Sequence, residues 1–131
     1  MLLTPTRIYA RDCLALVAET DVRAFAHVTG GGLASNVARI VPDGLDAVLD
    51  RGSWRVPPIF RCVEDRGRIS AEEMERTFNL GVGMVAVLPP EEADRALAVL
   101  AAKHVDAWVA GEIRTAEGHG GTAHLAGAHP V

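Results

Sequence analysis

Three consecutive glycines at positions 30–32 constrain the fold of this chain more than any other feature. They follow a stretch that alternates in the manner of a β-strand and precede an apolar-periodic stretch typical of a helix. Glycine lets a backbone approach a ligand closely, and the N–H groups at a helix N-terminus favour negative charge. The pattern predicts a strand–turn–helix unit. Its turn is either a cradle for a phosphate or carboxylate, which we favour, or a tight structural turn.

The polar side chains around the turn favour the cradle. We assign the following residues to phosphate or substrate binding: Thr29, Gly30, Gly31, Gly32, Asn36 and Arg39. His27 is the candidate catalytic residue, because imidazole titrates near neutral pH and could orient a substrate or move a proton. Each side chain also has a structural interpretation. His27 could be a packed strand residue, Thr29 could bond its own turn, and Arg39 could be a solvated helix residue.

The spacing excludes the common nucleotide loops. A Walker A loop requires a lysine directly after its second glycine, and the only lysine of the chain is Lys103. The dinucleotide fingerprint requires a third glycine where Ser35 stands. A phosphate bound here would therefore be held by backbone amides and arginine.

Length and composition indicate one globular domain. The chain has 131 residues, 49% of them hydrophobic, and a formal net charge of −4, which argues against binding to nucleic acid or an anionic membrane. No apolar run approaches the roughly 20 residues needed to cross a bilayer. Cys13 and Cys62 are predicted to be reduced, buried structural thiols. We expect a cytoplasmic protein with no nucleic-acid or membrane partner.

The pattern of apolar residues predicts an α/β (α+β) fold with a mixed sheet packed against helices. Predicted helices cover 6–18, 33–40, 57–63, 70–77 and a segment that begins at 89 and continues through 101. Predicted strands cover 22–28, 46–54, 82–88 and 107–115, with 82–88 buried on both faces. Residues 122–126 are predicted to pair back on the preceding strand as a hairpin.

Other polar and glycine positions have weaker functional signals. Asn79, Gly81 and Gly83 are predicted to support the cleft as a helix C-cap and a close backbone approach, in preference to direct ligand contact. The C-terminal histidines, and carboxylates such as Asp46 and Glu75, are predicted to be solvated surface groups. The histidines concerned are His119, His124 and His129. Their spacing is not that of a zinc site, and no metal site is predicted.

Three stretches together resemble a known enzyme family. These are residues 27–33 with Asn36 and Arg39, residues 2–9, and residues 77–85. In their order and spacing they resemble phosphoribosylformylglycinamidine cyclo-ligase, the aminoimidazole ribonucleotide synthetase of purine biosynthesis. The resemblance extends to about residue 112.

The resemblance implies a reaction and a set of partners. Such ligases close the imidazole ring of formylglycinamidine ribonucleotide, a phosphoribosyl substrate, with ATP and Mg²⁺. They have two α/β domains, form homodimers, and carry the ATP and metal machinery mainly in the N-terminal domain. This chain matches only the C-terminal domain, without the motif Ser-Gly-x-His-Ser-Asn-Gly that normally opens it. We expect a partial domain that is inactive alone, binds no cofactor tightly, self-associates through uncovered sheet surface and needs the missing N-terminal domain.

Two alternatives stay open. The chain could belong to another enzyme of the same superfamily, such as a formylglycinamidine ribonucleotide synthase, a selenophosphate synthetase or a thiamine-phosphate kinase. It could also be a non-catalytic module that binds a phosphate ligand.

Overall fold

The structure, a computed structural model, describes residues 3–118 and 120–130 and has the predicted α+β architecture with a mixed sheet. The helices are α1 (Ala10–Glu19), α2 (Gly32–Ala38), α3 (Pro58–Gly67), α4 (Ala71–Thr77) and α5 (Ala93–Ala101). The strands are β1 (Ala24–His27), β2 (Leu45–Asp50), β3 (Met84–Val87), β4 (Gly111–Thr115) and β5 (Thr122–Ala126). Short 3₁₀ helices cover Arg51–Ser53 and Pro90–Glu92.

The chain divides into two compact units. One comprises Met1–Phe25 and Ala86–Val109, and in it α1 packs against α5 around the buried side chains of Leu16 and Ala96. The other comprises Ala26–Val85 and Ala110–Val131 and contains the remaining helices and the three-stranded sheet.

The three-stranded sheet has the order β4–β2–β5. β4 is antiparallel to β2, with Ala47 opposite Ile113, and β5 is parallel to β2, with Ala47 opposite Ala123. The predicted hairpin between the last two strands is therefore wrong. Ala47 and Leu49 of β2 are only 3% and 4% exposed, so β2 takes the central position, where it is covered from both edges. The connection between β4 and β5 instead crosses β2, so that β4 and β5 lie on opposite sides of it.

The core of the larger unit lies between α2, β2 and the end of β1. Its buried members are Ala26, Val28, Leu33, Val37, Val41, Ala47, Leu49, Trp54 and Val82. The indole N–H of Trp54 donates to the backbone oxygen of Leu80 over 3.2 Å. This bond satisfies the one polar atom of the buried ring and fixes the segment that follows α4.

Several predicted boundaries are wrong for local reasons. The strand expected over 46–54 ends at Asp50, because the Asp50 side chain accepts the backbone N–H of Gly52 over 2.8 Å and starts a 3₁₀ turn. The first helix begins at Ala10 rather than residue 6, and the third continues to Gly67. The helix start at Ser70 is confirmed, since its hydroxyl accepts the N–H of Glu73.

Burial was predicted less well than element type. All four residues of β3 are only half-buried rather than covered on both faces, because β1 is its only neighbour in the sheet order among the described strands. Cys62 is exposed and Cys13 is half-buried, so the prediction of buried thiols is wrong for Cys62. Burial and the nearby Asp12 raise the pKa of the Cys13 thiol. No helix among the described residues is long and apolar enough to span a membrane.

The C-terminal histidines also differ from the prediction. His124 lies in β5 rather than in a loop, and its Nδ1 is 3.2 Å from Asp46 Oδ1. The hydroxyl of Thr122 donates to the same oxygen over 2.7 Å. This hydrogen bond is the main reason that the pKa of Asp46 is lowered. His129 is largely buried, and His119 lies outside the described residues.

Substitution of Gly32 tests the packing of α2 on α4. A Cβ atom at Gly32 would lie 1.9 Å from the backbone oxygen of Glu75, and Gly32 has φ +76°. Gly44 has nearly the same φ, +77°, but no atom within 4 Å of its Cβ position. We expect Gly44→Ala to lower the free energy of unfolding by about 1–2 kcal/mol, the cost of the left-handed backbone, and Gly32→Ala to cost more than twice as much.

The measurement is urea unfolding of both variants beside the parent chain. Equal losses of unfolding free energy in the two variants would show that the close backbone contact between α2 and α4 does not add to the cost of the Gly32 substitution.

Candidate functional site

The glycine turn has the predicted strand–turn–helix geometry. β1 ends at His27, and α2 begins at Gly32 after the N-cap residue Gly31. Gly31 has φ +98°, a left-handed conformation that residues with a Cβ seldom adopt. Gly30 has no such conformation, and a Cβ atom placed on it would have no neighbour within 4 Å. The 30–32 turn therefore has two glycines that the backbone requires, Gly31 and Gly32, and one next to open space, Gly30.

The side chain of Asn36 holds this loop through hydrogen bonds to three backbone oxygens. Its amide Nδ2 donates to the backbone oxygens of Thr29, Gly30 and Gly32 over 3.3, 3.2 and 2.7 Å. Asn36 is 3% exposed, so these bonds lie within the protein. The amide group that we assigned to phosphate binding is thus engaged by the loop's own carbonyls. Contact between Asn36 and a ligand stays a prediction.

The orientation of the loop carbonyls fixes the orientation of the loop N–H groups. In a trans peptide the C=O and the following N–H point in opposite directions, and no peptide here is cis. Because the oxygens of Thr29 and Gly30 point to Asn36, the N–H groups of Gly30 and Gly31 point away from it. Two successive N–H groups on one side of a turn form an anion-binding concavity.

A shallow open cleft lies beside the loop. It is lined by Val28, Thr29, Gly30, Phe60, Thr77, Phe78 and Asn79. The structure thus brings together three residues that the sequence assigned to the site, from stretches about 50 residues apart. The other assigned residues do not line this cleft.

The segment after α4, residues 79–83, is held in place by hydrogen bonds and by a close contact with Pro57. The side chain of Asn79 accepts the N–H of Gly81 over 3.0 Å. A Cβ at Gly81 would lie 2.7 Å from Cδ of Pro57, so the chain makes a close approach here, whereas the C-cap of α4 is Phe78 rather than the predicted Asn79. The oxygen of Gly83 accepts the N–H of Val28 over 2.9 Å, directly before the glycine loop. The 79–83 segment therefore supports the loop through backbone contacts.

His27 and Arg39 lie apart from the lining of the cleft. His27 is the exposed last residue of β1, and Arg39 is exposed at the C-cap of α2. A helix of seven residues is about 10 Å long, so Arg39 lies at the end of α2 remote from the glycines. Their catalytic and binding roles stay predictions.

A half-buried polar network was missed by the sequence analysis. Arg51 donates to both carboxylate oxygens of Glu75, over 2.6 and 2.8 Å, and to the backbone oxygen of Leu125 over 2.8 Å. The Nδ1 atom of His129 lies 3.1 Å from the backbone oxygen of Arg51. The His129 ring also packs edge-on against Trp54, with centroids 4.7 Å apart. Sequence separations of 24 to 78 residues leave no local signal for this network.

The network ties the C-terminal segment to the helix that precedes the cleft. Glu75 lies in α4, its backbone oxygen abuts Gly32, and the next turn leads to the cleft residues Thr77, Phe78 and Asn79. Hydrogen bonds from Arg51 lower the pKa of the Glu75 carboxyl, and His129 adds a smaller contribution in the same direction. The prediction of a solvated Glu75 is therefore wrong. Among the described residues, no group of three His, Cys, Asp or Glu side chains could hold a metal ion.

Asn36→Ala is expected to lower the free energy of unfolding by about 1–3 kcal/mol, because three loop carbonyls lose their buried donor. The measurement is urea unfolding together with amide hydrogen exchange of residues 29–32, which should become faster. Ser35→Ala, an exposed neighbour on the same helix, is the matched control. A variant as stable and as protected as the parent would contradict the role of Asn36 in shaping the loop.

Glu75→Gln is expected to reduce the loss of stability in acid. Because the pKa of Glu75 is lower in the folded chain than its usual value of 4.5, its ionised form stabilises the fold above about pH 4.5. That contribution is lost as the pH falls through the folded-state pKa. Urea unfolding from pH 7 to pH 3 should show a shallower acid decline in Glu75→Gln than in the parent or in the exposed control Glu72→Gln. Parallel declines would contradict the assignment.

Comparison with known proteins places the chain in a family. The family model for AIR synthase related protein, C-terminal domain, matches residues 1–124. The chain is 57% identical over 112 residues to a putative phosphoribosylformylglycinamidine cyclo-ligase of Streptomyces fradiae, covering 86% of this chain and 62% of that protein. It is 53% identical over 112 residues to the phosphoribosylformylglycinamidine cyclo-ligase of Anaeromyxobacter dehalogenans (strain 2CP-1 / ATCC BAA-258), covering 86% of this chain.

The chain spans 32% of the length of the Anaeromyxobacter dehalogenans relative and less than two thirds of the Streptomyces fradiae relative. The family match includes the glycine loop, the cleft residues and the Arg51–Glu75 pair, but it ends within β5. This chain therefore belongs to the family of AIR synthase related protein C-terminal domains.

Proposed function

We propose that this chain supplies the substrate-binding wall of a phosphoribosylformylglycinamidine cyclo-ligase. In that role it holds the phosphate end of a phosphoribosyl substrate while the ligase closes an imidazole ring with formation of a C–N bond. The relatives at 50–57% identity that carry this name support the proposal.

One observation carries the proposal: the carbonyls of Thr29 and Gly30 point to the buried side chain of Asn36, so that the N–H groups of Gly30 and Gly31 point away from Asn36. A phosphate needs several donors at one point, and backbone N–H groups supply them without adding side-chain entropy. Thr29 lines the same cleft, and its hydroxyl makes a long hydrogen bond of 3.5 Å to Asn36 Oδ1, so a bound phosphate would compete with Asn36 for this donor. The chain thus offers a preformed anion site rather than one built from flexible arginines.

His27 and Arg39 enter the proposal in secondary roles. His27 is exposed two residues before Thr29, where an imidazole could exchange a proton with a substrate that extends beyond the cleft. Arg39 is exposed at the C-terminal end of α2 and would meet only a ligand that reaches past that helix.

The described residues do not fit ATP with Mg²⁺. They include no group of three side chains that could hold the metal, and their one lysine, Lys103, belongs to the other compact unit. We therefore assign ATP and Mg²⁺ to a polypeptide region outside this chain, such as the remaining two thirds of the Anaeromyxobacter relatives, and derive no step through them. A cytoplasmic location and a homodimeric full-length enzyme belong to the same proposal.

The test is complementation between this chain and the upstream part of the Anaeromyxobacter dehalogenans relative, supplied as a separate polypeptide. Formation of aminoimidazole ribonucleotide from formylglycinamidine ribonucleotide and ATP is expected only in the mixture. Gly30→Val should abolish that activity, because its side chain would enter the cleft. The variant should fold normally, since nothing lies within 4 Å of the Cβ position.

Ala128→Val is the control for a similar increase in side-chain volume at an exposed position away from the cleft. Full activity of Gly30→Val in the mixture would contradict the role of the loop. A folded and associated but inactive mixture would instead favour another enzyme of the superfamily or a non-catalytic module.

A further inference from the structure

We propose that the cleft beside the glycine loop contains a subsite for a planar ring, and that Phe60 is the residue that selects for it. This inference rests on the phosphate-binding role proposed above and adds a specificity-determining residue to it. The ligand would be a phosphate ester whose other end carries a flat, unsaturated and uncharged group.

Part of the cleft lining is aromatic. Phe60 lies in α3 and Phe78 directly follows α4, and both line the cleft together with Thr29 and Gly30. Their ring centroids are 5.9 Å apart, and the ring planes are inclined by 57°. The two rings thus form an angled apolar surface in the cleft that Thr29 and Gly30 also line.

The cleft lining is neutral as well as aromatic. None of the lining residues within the described part of the chain carries a charged side chain. A charged group on the ligand is therefore matched only at the glycine loop, through backbone N–H groups. Away from the loop, the favoured contact is with an apolar or aromatic surface, and an aromatic wall recognises a flat ring by stacking.

Phe60 is better placed than Phe78 to make this contact. The backbones of both residues are fixed, since the N–H of Phe78 donates to the oxygen of Met74 over 2.8 Å and that of Phe60 to the oxygen of Pro57 over 3.0 Å. The two rings differ in what they border. Phe60 also lines a second cavity, which it shares with Glu75 and His129. Its ring therefore borders open space on two sides and keeps uncovered surface for stacking.

The geometry also predicts that binding of the phosphate and binding of the ring depend on different residues. The loop N–H groups contact phosphate whether or not the ligand carries a ring, whereas Phe60 gains contact only when a ring is present. Stacking of one base on an aromatic side chain corresponds to about a 5-fold to 160-fold change in affinity. Removing the Phe60 ring should therefore weaken binding of a ring-bearing ligand alone.

The experiment compares two probes on the full chain by isothermal titration calorimetry. The probes are ribose 5-phosphate, which has no ring beyond the sugar, and aminoimidazole carboxamide ribonucleotide, which adds a planar heterocycle. The variants are Phe60→Leu, which keeps an apolar side chain, and Phe60→Tyr, which keeps the ring. Thermal unfolding of each variant shows whether the fold is retained.

We expect the ring-bearing probe to bind the parent chain more tightly than ribose 5-phosphate. Phe60→Leu should weaken the ring-bearing probe about tenfold and change ribose 5-phosphate less than twofold, and Phe60→Tyr should restore parental affinity. Equal weakening of both probes, or no weakening of either, would overturn the ring subsite and leave the phosphate cradle standing. Absence of binding by both probes to the parent chain would overturn the cradle and the subsite together.

Discussion

The buried amide of Asn36 is the interaction on which the candidate site depends. A three-glycine loop has too many accessible conformations to form a fixed anion site by itself. Hydrogen bonds from one side-chain nitrogen to three loop carbonyls select a single conformation. The same bonds set the direction of the adjoining N–H groups, so loop order and loop chemistry have one physical origin.

The contacts around this loop hold the neighbouring helices and strands in place, and none of them is assigned to ligand binding. The backbone oxygen of Glu75 fills the space that a side chain at Gly32 would need, which fixes α2 against α4. The carboxylate of Glu75 is held by Arg51, which also binds the backbone at Leu125. The wall of the cleft therefore depends on a bond between residues 74 positions apart in sequence.

How much of the site the sequence predicted depends on how far apart in sequence the interacting residues lie. The strand–glycine–helix order was predicted, because glycine spacing and apolar periodicity act within about ten residues. The capping of α4 by Ser70 was predicted for the same reason. By contrast, the sequence indicated Asn36 as a ligand contact, and only the fold shows its amide engaged by the loop carbonyls. A polar side chain on a helix face looks the same in sequence whether it meets a ligand or the protein's own backbone.

The sequence by itself determined the family, the α+β class and the position of the glycine loop, since these depend on local patterns and on recognisable motifs. Tertiary structure decided the order β4–β2–β5 in place of a hairpin, the partial burial of His129 and the presence of Gly30, Phe60 and Asn79 in one cleft. Each of these depends on which distant segments share a core. That choice is made by the total apolar surface buried and by the pairing of buried polar groups, neither of which is contained in a short stretch of sequence.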